Sequence, residues 1–194
     1  MTIIGLTGGI ASGKSTVTGY VRQKGIPVFD SDQACHDVVA PGSPCLRALT
    51  ESFGPGILQA DGTMDRRKVA ALAFTSPEKL EVLNHLVRTA IYSLWEAFLD
   101  RHGRDPVAVI DAPLLIEGGW DKYVDEIWVV YIPEEEQIRR AMARSAMTRE
   151  EVLTRIRHQM PLEEKKKRAQ VVIDNSGSLE ELYRQVDAAL ARLQ

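Results

Sequence analysis

The segment Gly8-Gly9-Ile10-Ala11-Ser12-Gly13-Lys14-Ser15 fits the spacing G-x-x-x-x-G-K-[ST]. Each part of that spacing suits a polyphosphate. Glycines let backbone N–H groups turn inward without a Cβ in the way. A helix opening near Lys14 adds its unpaired N–H groups and its positive dipole end. Lys14 supplies a point charge for β- and γ-phosphates, and Ser15 a hydroxyl for Mg²⁺. The segment reads as a cradle for a nucleoside triphosphate. By itself it does not say where the phosphate goes.

Other chemistry-bearing residues address that question. Asp30-Ser31-Asp32 falls at the end of a short apolar run, Ile26 to Phe29. If the chain is still extended there, both carboxylates share a face. Asp32 could take the proton of an acceptor hydroxyl, while Asp30 or Ser31 could instead cap a following helix. Arg140 and Arg144 stand four apart and share a helix face, next to Arg139. On a closing segment they could neutralise a transferring phosphoryl group; Glu136, four residues before Arg140, offers plain surface pairing as the alternative. Arg155 and Arg157 mark a second helix of such a lid. Asp111 ends an apolar strand, where a carboxylate could order Mg²⁺ through water or simply open the loop before Pro113. His85 within a long helix, and Trp95, Trp120 and Trp128, read on their own as structural. No Asn/Thr-Lys-x-Asp base-reading motif occurs, and Asp174-Asn175-Ser176-Gly177 comes too late in the chain for a switch loop. A small-molecule kinase is favoured over a GTPase switch, a mechanical ATPase or a binding switch without phosphoryl transfer.

These residues need a scaffold. Strand character is found at Thr2 to Thr7, Ile26 to Phe29, Val107 to Asp111, Glu126 to Ile132 and Val171 to Ile173. Helical patterns separate them, including Lys14 to Lys24 and a long run from Pro77 to about Arg101. Capping-box spacing recurs at Thr148–Glu151 and Ser178–Glu181. Glu163 to Arg168 reads as a solvated helix with pairs such as Glu163–Lys167. Five strands separated by helices predict an α/β fold, a parallel sheet covered on both faces. The 194 residues, 44% apolar and 26% charged, suffice for one self-sufficient domain. A net charge of −3 argues against a general nucleic-acid binder. Cys35 and Cys45 lack partners at metal-ligand spacing and read as ordinary small residues. No signal peptide, membrane span or internal repeat is evident, so a cytoplasmic protein is expected.

Taken together, the motifs resemble the dephospho-coenzyme A kinase family. Gly5-Leu-Thr-Gly-Gly-Ile-Ala-Ser-Gly-Lys-Ser-Thr16 is similar to its opening, and Asp30-Ser-Asp32 to its D-x-D segment. Asp61-Gly-Thr-Met-Asp-Arg66, with Phe74 beyond, resembles its substrate-lobe pattern. Asp111-Ala-Pro-Leu-Leu-Ile-Glu117 is similar to its D-x-P-L-L-x-E loop, Arg140 and Arg144 to its R-x-x-x-R lid. Arg155-Ile-Arg-His-Gln159 and Val172-Ile-Asp-Asn-Ser-Gly177 match later blocks. The resemblance implies a P-loop NTPase-type five-stranded core (approximately 1–30, 105–135 and 169–194), a helical substrate-binding insert (31–104) and a helical lid (136–168). It implies transfer of the ATP γ-phosphoryl group to the ribose 3′-hydroxyl of dephospho-coenzyme A, with Mg²⁺. Asp32, Lys14, Arg140 and Arg144 inherit catalytic roles. Gly8, Ala11, Ser12, Gly13, Lys14, Ser15, Thr16 and Asn175 inherit ATP contacts; Asn175 could equally be a turn residue. Thr7, Asp32, Arg66, His85 and Leu115 inherit acceptor contacts, and Ser15 and Asp111 the metal. The implied partners are ATP and dephospho-coenzyme A, with no nucleic acid, no membrane, and a monomer or weak homo-oligomer. Three positions depart from the pattern. Ala11 replaces a common glycine outside the two motif glycines, so little loss is expected. Leu86 replaces a frequent proline after His85, and Ser145 a frequent Asp after Arg144.

Overall fold

A computed structural model describes residues 1–193. The chain opens with β1 (Thr2–Gly8), α1 (Lys14–Gln23) and β2 (Val28–Asp30), followed by α2 (Ser31–Asp37), α3 (Pro44–Phe53), α4 (Arg66–Ala73) and α5 (Pro77–His102). It continues through β3 (Val107–Asp111), β4 (Glu126–Tyr131), α6 (Glu134–Ser145), α7 (Arg149–Arg157) and α8 (Leu162–Arg168), and closes with β5 (Val171–Asp174) and α9 (Leu179–Ala191). Two compact units are present: residues 1–29 with those from 102 on, and residues 30–101.

The first unit is built on a five-stranded sheet of order β2-β3-β1-β4-β5. Strand β1 pairs in parallel with β3 and β4, and β4 in parallel with β5. At the β2 edge the Val109 N–H donates to the Pro27 carbonyl at 2.9 Å. Residues 4–8 of β1 and all of β3 are buried, which is why both read as unbroken apolar runs. On one face Ile4, Leu6, Val109, Trp128 and Ile173 meet Val17 and Val21 of α1 and Leu182 and Val186 of α9. On the other face Gly5 has no side chain because Leu115 lies there: a Cβ would stand 2.6 Å from its Cδ2. Helix α8 packs on β4.

The order places β1 at the centre with its neighbours on either side. In a parallel sheet all carboxyl ends share one edge, and that edge collects ligands. Register sets Asp111 beside Leu6, Val130 beside Gly8 and Asp174 beside Tyr131. The loop after β1, the end of β3 and the turn after β5 therefore converge. Both capping boxes form as expected: Thr148 and Glu151 open α7, Ser178 and Glu181 open α9.

The second unit is helical. Asp30 caps α2, accepting from the Asp32 and Gln33 N–H groups at 3.1 and 3.0 Å. Ser43 caps α3 with Pro44 behind it. Asp61 accepts the Thr63 hydroxyl at 2.6 Å, and Asp65 caps α4 by accepting from Arg67 and Lys68, both at 3.1 Å. The Asp61–Arg66 block is thus a turn feeding a helix start. Helix α5 runs unbroken through His85 and Leu86, which a proline at 86 would oppose. No helix of the described residues is long and apolar enough to cross a membrane.

Candidate active site

The loop from Gly8 to Ser15 joins β1 to α1. Gly13 adopts φ +93, and a Cβ on it would collide with the Asn175 amide. Glycine is required there on both counts. A Cβ on Gly9 would similarly collide with the buried Gln137 amide of α6. The Ser12 side chain is buried, and its Oγ has no hydrogen-bond partner among the described residues. The first N–H groups of α1, including those of Lys14 and Ser15, have no intrahelical acceptor and are available to an anion.

Around this loop the side chains are tied together. The Lys14 ammonium is ion-paired with Asp111 Oδ1. The other Asp111 oxygen accepts the Thr18 hydroxyl at 2.6 Å, one turn along α1 from Lys14. Asp111 itself is only 4% exposed, so its charge is matched within a nearly dry site. Across the loop, the Asn175 amide donates to the Ser12 carbonyl at 2.8 Å. The Asn175 carbonyl accepts from Arg140 at 3.0 Å. A continuous link thus runs from α6 to the phosphate loop.

Arg140 and Arg139 share Glu136: Arg140 Nε donates to Oε1 at 2.6 Å, Arg139 Nε to Oε2 at 2.7 Å. Arg139, then Arg140, hold the Glu136 carboxyl down to about 2. Arg144 is exposed and, among the described residues, has no side-chain partner. Helices α6 and α7 pack through Ile138, Ala141 and Val152, and Ile10 and Ala11 of the phosphate loop join that cluster. The α6–α7 pair therefore rests on the loop directly. Ala11 has φ +55, a left-handed conformation that is strained for any residue but glycine.

Two residues of this unit expected at the acceptor are internal. Thr7 is buried and its hydroxyl donates to the Pro113 carbonyl at 3.0 Å. Leu115 is fully buried against Gly5. In the helical unit, Asp32 is exposed in the first turn of α2, and Ser31 is already helical. The chain is not extended beyond Asp30, so the two carboxylates do not share a strand face; Asp30 is the cap and Asp32 is free of that duty. Arg66 points its guanidinium at His36 Nδ1, 3.1 Å away, and His85 is exposed on α5.

The solvated reading of Glu163–Arg168 needs correction at one residue. Lys165 is 0% exposed, and its ammonium donates to the Pro113 carbonyl at 2.6 Å and pairs with Glu117 at 2.9 Å. Burial pushes its pKa down, Glu117 pushes it up, and the charge of Lys14 adds to the downward push. Lys167 pairs with Glu164 and Lys166 with Glu163, in place of a Glu163–Lys167 pair. Thr18, Gln137 and Lys165 were not expected at the site. Thr18 was visible as the residue one turn after Lys14. Lys165 was visible only as the i+3 neighbour of the apolar Leu162, a weak signal inside a run of charges.

Comparison with known proteins identifies the family. The family model described as CoaE, dephospho-CoA kinase, matches residues 2–181. A dephospho-CoA kinase of Carboxydothermus hydrogenoformans is 46% identical over 194 residues, covering 96% of this chain and 91% of that protein. The crystal structure of TT1252 from Thermus thermophilus has a TM-score of 0.85 at 42% identity, covering 100% of this chain and 98% of that one. Dephospho-CoA kinase from Campylobacter jejuni, 20% identical with a TM-score of 0.63 over 100% of this chain and 97% of that one, shares the fold. A phosphate loop braced by Asp111 and Asn175, on a chain matched almost end to end, places this protein in the dephospho-CoA kinase family.

Proposed function

We propose that the chain transfers the γ-phosphoryl group of ATP to the ribose 3′-hydroxyl of dephospho-coenzyme A, giving coenzyme A and ADP. The observation that carries this reading is the phosphate loop with Lys14 held by Asp111, in a chain 46% identical over 194 residues to a dephospho-CoA kinase. The loop amides from Gly8 to Thr16 bind the phosphates, and Lys14 follows the charge that moves onto the β-phosphate as its bond to the γ-phosphorus breaks. Asp32 orients the acceptor hydroxyl and takes its proton as the new O–P bond forms. Arg140 and Arg144 face the transferring group when the lid closes and water is excluded. Arg66 and His85 hold the acceptor; Thr7 and Leu115, with buried side chains, serve by shaping the loop after β3. Asn175 acts at the nucleotide end.

The donor set suits a hard cation brought in on phosphate oxygens. The exposed Ser15 donates to no protein acceptor among the described residues. Asp111 is already committed to Lys14 and Thr18, so it would act through water. Among the described residues no group of three or more His, Cys, Asp and Glu side chains could hold a metal alone. A divalent ion, Mg²⁺ in this reading, supplies charge neutralisation at the β- and γ-oxygens.

The assignment of Asp32 is tested by Asp32→Asn. Turnover of dephospho-coenzyme A should fall by about 10²-fold or more, the usual contribution of a positioned base, with ATP binding little changed. Near wild-type turnover would remove Asp32 from this role.

A further inference from the structure

The protein buries one lysine that the proposed reaction does not use. Lys165 of α8 is 0% exposed, yet a charge of that kind is expensive to desolvate. Packing alone does not account for it, because apolar groups in place of a buried ion pair are often neutral or stabilising. Its contacts suggest another reason. Its ammonium donates to the Pro113 carbonyl at 2.6 Å, which also accepts the Thr7 hydroxyl at 3.0 Å. Its third near neighbour is Thr7 Oγ1 at 3.5 Å, and its ion partner is Glu117 at 2.9 Å. Glu117 in turn accepts the Met160 N–H at 2.8 Å, at the foot of α8. Pro113 lies two residues beyond Asp111, the carboxylate that holds Lys14. Lys165 therefore fixes both ends of the 113–117 turn, whose start sets the end of β3.

We infer that Lys165 is a positioning residue for phosphoryl transfer: by clamping Pro113 and Glu117 it holds Asp111, and through it Lys14, in the geometry that meets the phosphates. Its side chain is fully buried, so it acts through these groups rather than on nucleotide or acceptor directly. A 1 Å error in such a group is enough to cost large factors in rate. The inference rests on the kinase reading above.

Two variants separate positioning from mere structural support. Lys165→Met removes the charge at similar volume but strands Glu117. Lys165→Met combined with Glu117→Gln removes both charges, and the Gln carbonyl can still accept from Met160. The double variant should regain most of the urea-unfolding midpoint lost by the single one. Turnover with dephospho-coenzyme A should stay at least about tenfold below wild type in both, with the KM for ATP within about threefold, a loss confined to the transition state. The slow acceptor-free hydrolysis of ATP should fall by a similar factor. Recovery of the double variant to within about twofold of wild-type turnover, a change in KM alone, or failure of both variants to fold would overturn the inference. If wild-type protein shows no dephospho-coenzyme A-dependent ADP release, the kinase reading fails instead, and the hydrolysis ratio alone decides the role of Lys165.

Discussion

At the scale of single residues, charge placement decides what the site can do. Lys14 and Arg140 both have carboxylate partners, Asp111 and Glu136. In the proposed reaction arriving phosphates would compete for these cations, which the carboxylates hold in place. Glu136 has the clearest titration signature. Its folded carboxyl lies at about 2 against an ordinary 4.5, so its contribution to stability is complete above 4.5 and lost as pH falls toward 2. The pairing lies at the surface, where solvent screens it, so that contribution is modest. A carbon-13 titration of the Glu136 carboxyl should give a midpoint near 2; a midpoint at 4.5 would show that the shared Arg139–Glu136–Arg140 arrangement is absent in solution. Sequence reasoning singles out Lys14, Asp111 and Arg140 because their spacing follows local chain geometry. It missed Gln137 and Lys165 because their burial is a tertiary fact: within Glu-Glu-Lys-Lys-Lys-Arg only the i+3 spacing from Leu162 hints at which lysine turns inward.

At the scale of elements, the strands were legible within one or two residues, and Val107–Asp111 without error. Strand β3 and most of β1 are buried on both faces, the edge strands β2 and β5 only in part, and all are flanked by turn residues that mark their boundaries. The capping boxes were legible for the same local reason. Less legible was the backbone of the phosphate loop. Ala11 was expected to be nearly neutral, but its φ of +55 places it where glycine is favoured. Its methyl joins the Ile138 cluster, which offsets part of the strain. Ala11→Gly should raise stability by about 0.5–1 kcal/mol, read from the shift in denaturant midpoint at unchanged m-value. A clear loss of stability would mean that the methyl contact outweighs the backbone strain. In the D-x-D segment the structure decides between the two readings open to Asp30 in favour of the cap. Helix α2 begins at Ser31, so Asp30 is taken by its N-terminus while Asp32 stays exposed.

At the scale of the whole molecule, the strand order β2-β3-β1-β4-β5 could not be read from the chain, since pairing across β1 joins residues more than 100 apart. That order is what brings Asp111, the phosphate loop and Asn175 to one edge. Five strands with intervening helices nevertheless pointed to a parallel sheet, and the full set of motif blocks pointed to one family. The central claim, that this arrangement phosphorylates a sugar alcohol of dephospho-coenzyme A, is met most directly by product analysis. Purified protein with ATP, Mg²⁺ and dephospho-coenzyme A should release ADP in step with a new phosphomonoester on the ribose 3′-oxygen, seen by phosphorus NMR. ADP release that ignores dephospho-coenzyme A, or a phosphate found on a different acceptor from a panel of nucleosides and nucleoside monophosphates, would contradict it.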